Sequence, residues 1–129
     1  MGKAASAGAR SRARELIVQA LYQRQFTDHD SRELISQFRE REEYRRADQA
    51  YFEQRLEAIC GDRERLEATI AEFADRPLAQ LDPVELAILL LGVHELTALP
   101  ELPYRVVINE GVLLAKRFGA EDGHKYVNA

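Results

Sequence analysis

The sequence predicts an all-helical protein, a compact bundle of seven helices. Three observations carry that expectation. Apolar residues recur three and four apart through most of the chain. Capping residues precede several of the segments so marked, and glycine or proline follows the third to the sixth. No convincing alternation of apolar and polar residues suggests a strand. The 129 residues fit one domain with a shared core, and 46% hydrophobic with 31% charged residues is a globular composition.

The elements follow in order. Residues 1–9 are small and polar and read as a disordered lead. Ala13, Leu16, Ile17, Ala20 and Leu21 mark a first helix running to about Phe26. Thr27 to Asp30 is a polar break, with Asp30 or Ser31 available as the next N-cap. Leu34, Ile35 and Phe38 mark a short second helix, and Arg39 to Arg46 reads as its exposed end plus a turn. Asp48 is placed to cap a third helix with Tyr51, Phe52, Leu56 and Ile59 inward, ended by Gly61. Asp62 caps a fourth, with Leu66, Ile70 and Phe73 inward, and Pro77 forbids continuation.

The fifth helix has the clearest start: Asp82 at the N-cap, Pro83 first, and Glu85 third, a capping-box arrangement. From Leu86 to Val93 it is apolar on nearly every side, so it is expected to be the central core helix, surrounded by protein. Pro103 opens a sixth helix, with Val106, Val107, Leu113 and Leu114 as apolar positions. Lys116 and Arg117 suit the negative end of its dipole, and Gly119 is the expected cap. Asp122 can cap a short seventh helix before Ala129.

Several function classes are disfavoured. No apolar run reaches the ~18 residues of a membrane span, and no apolar segment at the N-terminus marks a secretion signal. Cys60 is the only cysteine, which excludes an internal disulfide and fits a reducing compartment. The glycines are scattered, with no phosphate-cradling loop. His29, His94 and His124 match no metal-ligand spacing, and no serine or cysteine has an evident base partner. The expectation is a protein without cofactor, metal or catalytic chemistry.

Charge is more informative. Residues 1–26 carry Lys3, Arg10, Arg12, Arg14 and Arg24 against Glu15 alone, while the rest holds 13 basic and 21 acidic residues. A basic arm on an acidic body points to a polyanion partner for the arm, or to a solvated tail. Arg10 and Arg14 lie one helical turn apart, and Arg12 projects elsewhere. Phe118 and Tyr126 lie near Lys116, Arg117 and Lys125, where an aromatic ring can stack on an unpaired base or belong to the core.

Two segments carry a resemblance. Arg12 to Tyr22 (RARELIVQALY), and Pro103 to Glu110 (PYRVVINE) continued by Leu114 to Asp122 (LAKRFGAED) and His124 to Asn128 (HKYVN), look like the arginine helix and the C-terminal signature of the NusB family. Residues 10–26 and 77–128 match well, and 27–76 match in helix count and length. The resemblance implies two packed helical subdomains, three helices over 10–61 and four over 62–129. It implies a cytoplasmic transcription antitermination factor, not an enzyme, that binds single-stranded boxA RNA of ribosomal RNA leaders. The implied partners are NusE, a small-subunit ribosomal protein, and through it other Nus factors and RNA polymerase. Carried over by position, the RNA contacts are Arg10, Arg12, Arg14, Phe118, Asp122 and Tyr126, and the NusE contacts are Tyr22 and Glu85. Tyr126 stands where the family often has phenylalanine. Asp122 is a carboxylate facing a polyanion, suited to a base edge or to capping its helix. The family's last helix continues with further apolar residues, so the end at Ala129 reads as a truncation. Two other classes fit the same residues: a protein-binding scaffold with solvated arginines, and an accessory domain of the kind that precedes ribosomal RNA methyltransferase domains.

Overall fold

A computed structural model describes residues 7–119. The described residues hold six α-helices, two short 3-10 turns and no strand. The expected seventh helix, with Asp122 and Tyr126, lies outside the described residues. The chain divides at Gly61 and Asp62 into two compact units.

The N-terminal unit holds α1 (Ala7–Arg24), α2 (Ser31–Phe38), a 3-10 turn at Glu42–Arg46 and α3 (Gln49–Gly61). Helix α1 begins at Ala7, inside the expected disordered lead. Ala9 gives one reason: its carbonyl accepts from the Asp48 backbone N–H at 2.9 Å, which ties the first turn of α1 to the start of α3. α1 packs on α2, the 3-10 turn and α3. Its inward stripe of Ala13, Leu16, Ile17, Ala20 and Leu21 is buried with Leu34, Phe38, Phe52, Leu56 and Ile59. An eight-residue helix is marginal alone, and α2 is fixed by a full capping box. Asp30 accepts from the Glu33 N–H at 2.9 Å, and the Glu33 carboxylate accepts from the Asp30 N–H at 2.9 Å.

The Glu42–Arg46 turn departs from expectation. Within its charged run, Tyr44 is buried, edge-on to Phe52 at 5.8 Å. Its hydroxyl donates to Glu53, which also receives both Nε and Nη2 of Arg39 at 2.9 and 2.8 Å. The Arg39 hydrogen bonds hold the Glu53 carboxyl below the usual carboxylate range. Burial and the Glu53 hydrogen bond push the Tyr44 phenol up.

The C-terminal unit holds α4 (Arg63–Phe73), a 3-10 turn at Leu78–Gln80, α5 (Pro83–Ala98) and α6 (Tyr104–Phe118). Helix α5 packs on both α4 and α6. Its buried side, Val84, Leu86, Ala87, Leu90 and Leu91, meets Leu66, Ile70, Val107 and Leu114 in the core. The expectation of a fully surrounded α5 fails on one side, where Leu89 is 39% exposed and Leu96 is exposed as well. Phe73, expected inward, is 82% exposed. It is the last residue of α4, and periodicity fixes the side a residue faces, not whether a neighbour reaches it.

Two caps also differ in mechanism. Asp82 caps α5 by accepting from the Val84 N–H at 2.7 Å, while the Glu85 side chain makes no return bond to Asp82. The reciprocal box expected here is at Asp30 instead. Gly119 ends α6 with extended backbone, not a left-handed one. Glycine is needed there for close approach, because a Cβ would lie 2.2 Å from the Ala115 carbonyl oxygen.

Candidate nucleic-acid interface

The start of α1 carries the three arginines singled out by sequence, and the structure gives each a different environment. Arg10 lies with its guanidinium 3.9 Å from the centroid of the Tyr51 ring, and its Nε donates to Asp48 Oδ2 at 3.0 Å. Its side chain is 35% exposed. Arg12 is exposed, and its Nε donates to the Arg46 carbonyl at 3.0 Å. Arg14 is 2% exposed, one turn below Arg10 and 5.6 Å from the same Tyr51 ring. Arg55 approaches that ring from α3 at 5.9 Å. Tyr51 is thus the hub of a cation–π cluster with Arg10, Arg14 and Arg55.

The spacing of Arg10 and Arg14 gives both a place at Tyr51, as one helical turn requires. Arg14, an RNA contact by the resemblance, is instead packed inside. Arg10 and Arg12 are the cations this arm can present to a ligand. They stand beside the first turn of α1, at the positive end of its dipole, which favours an anion.

Asp48 explains why the arrangement persists. Its Oδ1 accepts from the Tyr51 N–H at 3.1 Å, capping α3, and its Oδ2 holds Arg10. Sequence reasoning placed Asp48 as a cap and missed its second task, as well as Tyr51, Arg55 and the Arg46 carbonyl. Only Arg55 carried a charge signal, and it stands 45 residues from Arg10 in the sequence.

The remaining candidates are scattered. Phe118 is 4% exposed, with the Arg117 guanidinium 5.5 Å from its ring centroid. The ring is a core residue of the C-terminal unit, and the group over its face is cationic. Asp122 and Tyr126 lie outside the described residues. Tyr22, half-buried on α1, meets exposed Phe26 at 5.1 Å between centroids. Glu85 is exposed in the first turn of α5. Among the described residues no group of three or more histidine, cysteine or acidic side chains could hold a metal ion, and no helix is long and apolar enough to cross a membrane.

Comparison with known proteins decides the family. The profile of the NusB family matches residues 11–129. The chain belongs to the NusB family. Its relatives include a transcription antitermination protein NusB from Thiobacillus denitrificans, 43% identical over 95% of this chain and 84% of the relative. The NusB of Chromohalobacter salexigens is 48% identical over 92% of the chain and 80% of its own length. The NusB of Paraburkholderia phymatum is 46% identical over 93% and 83%. The NusB profile takes in both the arginine helix and α5–α6, the two regions on which the resemblance was read.

Proposed function

We propose that this chain is a transcription antitermination adaptor that binds single-stranded boxA RNA of ribosomal RNA leaders together with NusE. It acts in the cytoplasm, joins RNA polymerase through the other Nus factors, and performs no catalysis. The observation that carries the reading is the start of α1. There Arg10 and Arg12 are held in place while still accessible, in a chain whose relatives are named transcription antitermination proteins. Arginine's planar fork suits phosphate oxygens, and the positive end of a helix dipole favours them.

The RNA contacts proposed here are Arg10 and Arg12 of the N-terminal unit, and Asp122 and Tyr126 from the C-terminal signature. Arg14 is buried at the same Tyr51 ring as Arg10, and Phe118 is buried in the core of its own unit. Tyr22 and Glu85 are assigned to NusE. The exposed Phe26 beside Tyr22 enlarges an aromatic patch of the sort that anchors protein interfaces. Glu85 is available for a partner because Asp82 alone makes the α5 cap.

Fluorescence anisotropy tests the reading, with a boxA-type RNA and a scrambled control, with and without NusE, across salt. The expected result is tighter binding of boxA, a further gain with NusE, and a log–log salt slope near about −0.7 per neutralised phosphate. Failure of both RNAs to bind with NusE present would replace the reading with a protein-only scaffold.

A further inference from the structure

The arm's two accessible arginines share a pattern that RNA binding alone does not explain. Each is tied by its Nε edge, and both ties end on the same short segment. Arg10 Nε donates to Asp48 and Arg12 Nε to the carbonyl of Arg46, at 3.0 Å in both cases. The Asp48 backbone N–H returns a bond to Ala9. Arg10 is also held face-on to Tyr51. Among the described residues neither arginine spends an Nη group on a hydrogen bond. Both guanidinium groups are thus fixed at Nε; the Nη groups of Arg12 lie over Gly8, and Arg10 keeps its side chain 35% exposed.

We propose that the Arg46–Asp48 segment is the positioning element of the basic arm, with Asp48 the positioning residue that aims the Nη edge of Arg10 at an RNA phosphate. A carboxylate beside a polyanion site ordinarily opposes binding. Asp48 escapes this because one oxygen faces the positive end of α3 and the other the Arg10 guanidinium, which together neutralise it. Its side chain is 13% exposed. Ordering a long side chain before binding removes an entropic cost that a loose arginine meets on contact. The inference rests on the RNA-binding reading above and adds to it a residue of the opposite charge.

The sign of one substitution separates positioning from bulk electrostatics. Asp48→Asn keeps an oxygen to cap α3 but offers Arg10 an amide donor in place of an acceptor, and it makes the chain one unit less negative. Bulk electrostatics then predicts tighter RNA binding. Positioning predicts binding weaker by about three- to tenfold, from the freedom returned to one side chain. Asp48→Ser, a cap too short to reach Arg10, should behave alike. In an Arg10→Ala background the Asp48→Asn change should add nothing, because the residue acts through Arg10. Equal or tighter binding by Asp48→Asn, or an undiminished loss without Arg10, overturns the proposal. If the unaltered chain binds no RNA, the RNA reading itself fails. The clamp is then read separately from the ¹⁵N-detected Arg10 Nε–H resonance, which should shift and exchange faster in Asp48→Asn. A resonance that ignores the substitution overturns the clamp even where RNA binds.

Discussion

The two units solve the same problem, holding short helices together, with different chemistry. In the N-terminal unit charged side chains reach across the fold. Arg10 meets Asp48 over 38 positions of sequence, Arg12 meets the Arg46 carbonyl over 34, and Arg41 meets Gln19 over 22. In the C-terminal unit the ion pairs of Arg63 with Glu67, Arg65 with Asp62 and Arg76 with Asp75 join residues no more than four apart. None of these pairs ties one helix to another, and the exposed ones, Arg65 with Asp62 and Arg76 with Asp75, contribute little. Cohesion there comes largely from the apolar side of α5, beside which His94 and Glu95 are buried too. Apolar residues remain outside too: Tyr104, Ile108 and Val112 line one side of α6, and Val106 and Leu113 the other. The contrast is between a unit stapled by polar bonds of long sequence reach, whose exposed arginines are held still, and a unit held by burial with apolar surface to spare.

The largest expected effect lies in the C-terminal unit. Leu90→Ala, at a fully buried position, should cost about 2–5 kcal/mol in urea unfolding. Leu89→Ala next to it should cost well under half as much. Equal losses would mean that the exposed side of α5 is covered in solution, which blurs the contrast. In the N-terminal unit, Glu53→Ala removes the acceptor of the buried Tyr44 hydroxyl and should cost about 1–3 kcal/mol. The sign with pH follows from the direction of the shift. The Glu53 carboxyl is held below its ordinary 4.5 in the fold, so its contribution is full above that value and fades as pH falls through the folded-state value. The acid limb of stability should therefore flatten in Glu53→Gln, and an unchanged limb would remove Glu53 from the staple.

Arg14→Ala and Arg12→Ala sharpen the difference between a packed and a presented arginine. The first should lower stability by about 1–3 kcal/mol through lost packing. The second should leave thermal unfolding nearly unchanged and weaken RNA binding. The reverse order would return Arg14 to the surface. The smallest effect expected is at the helix starts. Asp82→Ala should cost about 1 kcal/mol through its cap bond to Val84. Asp62→Ala should cost less, since Asp62 makes no side-chain cap bond to α4.

Much of the fold was legible because its signals are local. The Asp30, Asp48 and Asp82 caps, the proline at the start of α5 and the apolar stripes of α1 and α3 each depend on residues within a turn or two. What escaped depends on what stands opposite. Tyr44 hides in a run of five residues of which four are charged, where periodicity has no purchase. Arg14 looks like its neighbours until Tyr51 is placed over it. The same holds at the site. The arm was visible as a cluster of arginines, but the partners that fix it lie more than 30 positions away, and no pattern in the arm points to them.

Arg46 and Asp48 stand two residues apart, a span of at most about 7 Å even when extended. The anchors of two cations on α1 are thus set by covalent length, much as a gauge block sets a gap. Ala47 between them is buried, and any small residue would keep the distance. Inserting or deleting one residue there would not change the composition of the arm at all. It would still move one anchor out of step with α1 and leave the two guanidinium groups at the wrong interval for neighbouring phosphates. At Arg46 and Ala47 length matters more than identity, whereas Asp48 has to supply both its place and its carboxylate.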